Sequence, residues 1–329
     1  FYLDVGRRLG KDETLLWGAV EKAEGKHPDC IGFDLLRART ATTLDDRKTH
    51  IEKALEKRPD DVGLRLMMVD VLIDEEEELD AEEIVDAILE EKPDEPGAII
   101  RKGRIQLAGG YPNAAVEFVD ETIGEHPLPG LHDLKARALL VIHEEEGKDT
   151  LDEALKCAEA AVASEPEAVY VVTLARVLER KGDMSLAKAK ITKHFDTNPT
   201  PLVASLVGEY ALADGDYATA ARGFEVGAAT DARSAVGLAV SHARLGNDKP
   251  ARAALAHVQR LAPDAAALQA HVLELLDDHK AARGAVDASD HPAKALRLSL
   301  YDAHLGRAAA IRGQLAKDAE SAGHDAEFR

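Results

Sequence analysis

What most constrains this chain is a recurrent proline. Pro28, Pro59, Pro93, Pro127, Pro166, Pro199, Pro263 and Pro292 each follow a polar or charged stretch, at spacings of 31, 34, 34, 39, 33, 64 and 29 residues. The long gap holds two units, with Asp231 near the missing proline. Roughly twelve residues before most of these prolines stands an alanine (Ala81, Ala115, Ala154, Ala187, Ala251). A glycine often precedes the alanine by five residues, as in Gly182-Asp183-Met184-Ser185-Leu186-Ala187 and Gly215-Asp216-Tyr217-Ala218-Thr219-Ala220. A period of this size is the mark of a stacked supersecondary unit that cannot bury its apolar face alone. Punctuation at about every fifteen residues also disfavours a four-helix bundle, which uses a few helices of some twenty residues or more.

Within each period the apolar residues recur at three- and four-residue spacing, most clearly over 202–213 and 217–229, which predicts two amphipathic helices joined by a polar turn. Only 4% of the 329 residues are aromatic. The apolar content is mainly alanine, leucine and valine, which favours helices over pleated strands.

This pattern resembles the tetratricopeptide repeats, whose unit is a helix-turn-helix. The best match is 201–231, with Gly208 at the small first-helix position, Gly215-Asp216-Tyr217 in the turn, Ala220 where the helices cross and Phe224 packing one turn later. Residues 96–129 follow, with Gly103, Gly109-Gly110-Tyr111, Ala114 and Phe118. The family's early tryptophan is absent, its second-helix aromatic is often Val or Ile, and one unit carries an insertion around Glu144-Glu145-Glu146-Gly147-Lys148. The resemblance implies an all-α, right-handed solenoid of about nine to ten repeats. As a single array, these fall near 1–30, 31–61, 62–95, 96–129, 130–167, 168–200, 201–231, 232–265, 266–291 and 292–320. The start Phe1-Tyr2-Leu3 reads as the cut edge of an upstream helix in a longer protein, and Asp318–Arg329 as a solvated cap.

No catalytic, cofactor or metal site is expected. Gly6-Arg7-Arg8-Leu9-Gly10-Lys11-Asp12 is one residue short of a phosphate-binding loop and has Asp12 in place of the magnesium-ligating hydroxyl. His143-Glu144-Glu145-Glu146-Gly147 lacks a second histidine and reads as a charged loop, while His271, His279, His291 and His304 are scattered. Cys30 and Cys157 are expected to be small buried residues.

The formal charge of −20 repels phosphate backbones and anionic lipid, so nucleic acid is excluded as a partner and direct membrane insertion is not expected. Residues 51–100 hold 18 acidic and 5 basic side chains. That stretch is read first as a solvated face and second as a docking strip, over 74–95, for a basic partner. In the resembling family the first helix of each unit lines a concave face. Carrying its positions over places Arg101, Arg104, Lys135, Arg176, Arg180, Arg233 and Arg244 there, beside Val169, Val172, Leu202, Leu206, Val236 and Val240. The family's carboxylate-clamp pattern is not reproduced.

The expected function is a non-catalytic scaffold that binds a partner protein or peptide, carrying acidic and apolar residues, in that groove. The alternative is a regulatory or targeting domain of a larger enzyme whose catalytic part lies elsewhere. A cytoplasmic location is expected.

Overall fold

The structure, a computed structural model, describes residues 13–41, 43–288, 294–302 and 305. Expectations for Gly6–Asp12, His291, His304 and both chain ends lie outside these residues. Eighteen helices and no strand are found among the described residues. They are α1 (Glu13–Glu24), α2 (Ile31–Thr40), α3 (Leu44–Lys57), α4 (Val62–Asp74), α5 (Glu78–Glu91), α6 (Pro96–Ala108), α7 (Pro112–Thr122), α8 (Pro129–Glu146) and α9 (Leu151–Ser164). There follow α10 (Ala168–Arg180), α11 (Met184–Thr197), α12 (Pro201–Ala213), α13 (Tyr217–Glu225), α14 (Ala232–Arg244), α15 (Asp248–Leu261), α16 (Ala266–Leu275), α17 (His279–Asp287) and α18 (Lys294–Asp302). None is long and apolar enough to cross a membrane. The chain divides into two compact units, Phe1–Glu165 and Pro166–Arg329.

The helix boundaries follow from local chemistry. Proline occupies the first turn of α6, α7, α8 and α12, where its missing N–H leaves no hydrogen bond unmade. Side chains cap other starts: Asp61 accepts from the Leu64 N–H, Asp231 from Ser234 and Asp278 from Ala281, satisfying donors that the helix itself cannot. Between the helices of a pair, Gly110, Gly182, Gly215 and Gly246 adopt φ of +72 to +87°, the left-handed conformation that glycine takes without a Cβ clash. The same turn recurs at Glu76 and Asp277, with φ of 61° and 56°.

Packing repeats in each unit. A second helix, such as α5 or α13, contacts the first helix of its own pair and that of the next, and first helices also touch their successors, as α4 does α6 and α12 does α14. The periodic alanines make this possible: Ala81, Ala115, Ala154, Ala187, Ala220 and Ala251 are all fully buried. Ala115, not Ala114, is the buried alanine of its pair. In the 201–231 pair the helices approach closely at Gly223, where an added Cβ would stand 2.7 Å from the Ala204 carbonyl oxygen.

Two local expectations are corrected. Residues 143–146 are the last turn of α8, an 18-residue helix ended by Gly147 in the left-handed conformation, so the insertion lengthens a helix instead of forming a loop. Cys30 is exposed because it caps the start of α2 at the surface, and Cys157 is half-buried. The acidic turn is pinned, since Lys48 Nζ reaches Glu75 at 2.7 Å and Glu77 at 2.8 Å.

Candidate interaction face

The residues carried over from the repeat pattern fall in both units. In Pro166–Arg329, α10, α12 and α14 are three successive first helices in contact. On α12 the solvent-facing stripe runs through Leu202, Ser205, Glu209 and Ala213, the three- and four-residue steps of one helix face. Leu202 is 49% exposed, whereas Leu206 lies off this stripe and is 2% exposed. Leu206 is therefore a core residue and not a groove anchor. On α10 Val169 is exposed and Val172 half-buried; on α14 Val236 and Val240 are half-buried against the core. Arg180 and Arg244 are exposed at the ends of their helices.

Glu209 stands at the centre of this face. Its Oε2 accepts from Arg176 Nη2 of α10 at 3.0 Å, and its Oε1 pairs with Arg233 Nη2 of α14 at 3.1 Å. Arg176 Nη1 also donates to Glu179 at 3.1 Å, and the Tyr210 hydroxyl donates to the same carboxylate at 3.0 Å. Two guanidiniums thus meet two carboxylates, so this patch is neutral where sequence reasoning placed a basic strip. Burial opposes the charge on Arg176, but the hydrogen bonds to Glu209 and Glu179 prevail and raise its pKa. Burial, with the hydrogen bond to Glu179, likewise raises the Tyr210 pKa and keeps its phenol a donor. The Arg233 side chain is 72% exposed and makes one ion-pair contact, which leaves most of its five N–H groups turned to solvent.

In Phe1–Glu165, Asp70 of α4 is held by two arginines of α6. Arg101 donates through Nε at 3.1 Å and Nη2 at 2.5 Å, and Arg104 through Nη1 at 2.7 Å. Lys135 is elsewhere. Its Nζ lies 2.6 Å from both Asp120 of α7 and Glu153 of α9, and its side chain is 12% exposed. Both partners are on second helices, so Lys135 faces away from the first-helix side.

Sequence reasoning found the arginines and missed the acids that hold them. The signal was present as opposite charges one repeat apart: Asp70 to Arg101 is 31 residues, Asp70 to Arg104 is 34, and Arg176 to Glu209 is 33. In a stacked array that separation brings side chains together as a four-residue step does on a single helix. Among the described residues no group of three His, Cys, Asp or Glu side chains is arranged to hold a metal ion.

No protein-family model and no curated protein matches the chain. Solved structures do. The Cut9–Hcn1 hetero-tetramer of the APC/C is similar with a TM-score of 0.52 and 16% identity, over 87% of this chain and 55% of that one. The chain thus spans about half the length of that neighbour. TTC0263, a thermophilic TPR protein in Thermus thermophilus, is similar with a TM-score of 0.41 and 20% identity, over 65% of this chain and 98% of that one. A human IFIT1 dimer with PPP-AAAA is similar with a TM-score of 0.48 and 15% identity, over 76% of this chain and 69% of that one. The Cut9–Hcn1 likeness, with the repeated helix pairs described above, shows the fold, a TPR-like all-α helical repeat. The exclusion of nucleic acid read from net charge is withdrawn: the IFIT1 structure holds PPP-AAAA, a fact about IFIT1 alone. Net charge describes the whole surface, and a local site need not share its sign.

Proposed function

We propose that the chain is a non-catalytic binding scaffold, and that the first-helix face of α10, α12 and α14 receives a segment of a partner protein. The observation that carries this reading is Glu209 held between Arg176 and Arg233, from the helix pairs on either side. One carboxylate orients two guanidiniums, and Arg233 retains donors for an incoming anionic group. Exposed Leu202 on the same α12 stripe and Val169 on α10 offer apolar contact beside it. Ligand carboxylates next to aliphatic side chains match this arrangement. The apolar contacts supply most of the affinity, because exposed ion pairs contribute only about 0–1 kcal/mol, while the arginines supply selectivity and on-rate.

The test is a selection of displayed peptides against the intact chain. Enriched peptides should carry Asp or Glu beside Leu, Ile or Phe and bind more weakly to Leu202→Asp and to Arg233→Glu. Leu79→Asp, at a leucine 83% exposed on α5, should leave binding unchanged. Peptides that bind both face variants normally would refute the proposal, as would an RNA oligonucleotide that binds this face in their stead.

A further inference from the structure

A second surface lies in Phe1–Glu165, on the side of the second helices. α5 and α7 both pack on α6, and the space between them is an open cavity of about 360 Å³, the size of a small binding pocket. Leu89, Ile99 and Phe118 line it with apolar surface, while Glu121 and Glu125 stand among its polar lining residues. Ile99 is buried, but Leu89 and Phe118 are only partly covered by the core they pack against. They present an apolar floor that no described residue seals.

Carboxylates outnumber basic side chains on the helices around this floor. α5 carries seven carboxylates and α7 three, with no lysine or arginine on either helix, and Glu121 of α7 lines the cavity itself, beside Glu125. The basic side chains that line the cavity already lie beside carboxylates: Lys102 Nζ is 2.8 Å from Asp86, and His126 Nε2 is 3.8 Å from Asp94. Glu121 and Glu125 are exposed and have no ion-pair partner among the described residues. Local carboxylates of this density attract a cationic partner and repel phosphate or anionic lipid.

We infer that the α5–α6–α7 cavity docks a basic, amphipathic segment of a partner protein, with an aliphatic or aromatic side chain seated on Leu89 and Phe118 and lysines or arginines facing Glu121 and Glu125. Chemically this is the opposite of the ligand proposed for the α10–α14 face, and neither surface depends on the other. An apolar anchor ringed by complementary charge is the usual anatomy of a small docking site.

The probe is a fluorescent helical peptide of leucine and lysine, with leucines at steps of three and four, titrated by anisotropy onto the intact chain. Two companions replace its lysines with glutamate or its leucines with serine. Glu121→Gln with Glu125→Gln should weaken binding of the parent peptide by about tenfold at low salt, from two charge contacts of under about 1 kcal/mol each. Glu165→Gln with Glu167→Gln, the same change of net charge outside the cavity, should leave it unaltered. Both companion peptides should fail to bind. A Thr122→Trp variant, which fills the cavity from its lining, should block the parent peptide while retaining the circular dichroism of the wild type. Equal weakening by the two charge pairs would reduce the binding to attraction by net charge and overturn the inference. So would tight binding of the serine peptide, or unchanged affinity in Thr122→Trp.

Discussion

Gly223→Ala should destabilise the protein, although alanine is the better helix former. In an open helix this change is worth about 0.5–1 kcal/mol in favour of alanine, which loses less backbone entropy on folding. At Gly223 the new methyl would stand 2.7 Å from the Ala204 carbonyl oxygen, 2.7 Å from the Gly208 nitrogen and 2.9 Å from the Gly208 Cα. All three atoms belong to the backbone of α12, so no rotamer change relieves the contact and α13 must move off α12. The ring of Phe224 moves with it. That ring fills the space beside Gly208 and Gly237, whose added Cβ atoms would lie 2.8 and 2.5 Å from it. Overpacking of this kind costs about 1–3 kcal/mol where side chains can adjust, and a backbone clash falls at the upper end, leaving a net loss of about 2 kcal/mol. Gly284→Ala is the matched control. Gly284 lies in α17, is exposed, and an added Cβ there would meet nothing within 4 Å, so alanine at this position should stabilise by about 0.5–1 kcal/mol. Urea unfolding of both variants gives the signs directly. Hydrogen exchange read by mass spectrometry should show protection lost first in 201–231 and the adjoining pair, since repeat arrays fail by neighbourhood. Stabilisation by Gly223→Ala, or uniform loss of protection along the chain, would refute the reasoning.

Three other outcomes are expected. Glu76→Gly should raise the unfolding midpoint by the equivalent of about 1 kcal/mol by removing a non-glycine residue from the left-handed conformation, and Asp277→Gly by less, because Asp tolerates that conformation better; an unchanged or lower midpoint would count against the turn geometry. Burial lowers the pKa of His50, helped by Lys53 and Arg37 and opposed by Asp34 and Asp46, and burial with Lys135 lowers that of His132. The folded state therefore takes up protons less readily than the unfolded one, so stability is full above about pH 6.5 and falls as the pH drops below it. The paired variant His50→Gln, His132→Gln should flatten that slope in denaturation midpoints taken from pH 7.5 to 5. A double-mutant cycle on Arg176 and Glu209 should give a coupling under about 1 kcal/mol that shrinks with added salt, since Arg176 is 41% exposed; a larger, salt-insensitive coupling would mean a structural and not a recognition pair.

Much of the array was legible because its requirements are compositional. Close helix crossings demand small residues, so the period shows in Ala81, Ala115, Ala154, Ala187 and Ala251, every one of them buried. Turns that need a positive φ select glycine, which exposes Gly110, Gly182, Gly215 and Gly246. The same turn at Glu76 and Asp277 was illegible, because an unfavourable conformation at modest cost leaves no mark on residue identity. The face was harder to read than the fold. On a helix one step of sequence is a turn of about 100°, so counting positions from a repeat template placed Leu206 on the surface when it is buried. Lys135 failed in the same way, rotated towards α7 and α9. The arginines were found by type, but their neutral setting depends on register between neighbouring helices, which spacing along one helix does not encode.

The Phe224 ring between Gly208 and Gly237 also acts as a spacer of fixed thickness. It comes from a second helix but separates two first helices, and its glycine seats are the immediate neighbours of Glu209 and Val236 on the opposite side. The pitch at which α12 and α14 present their side chains is therefore gauged from behind, by a residue that no ligand on that face could touch. A thinner side chain at this position would let the two helices close on one another and shift Arg233 relative to Glu209. Residues hidden in the core can in this way retune what the surface recognises while every recognition residue stays the same.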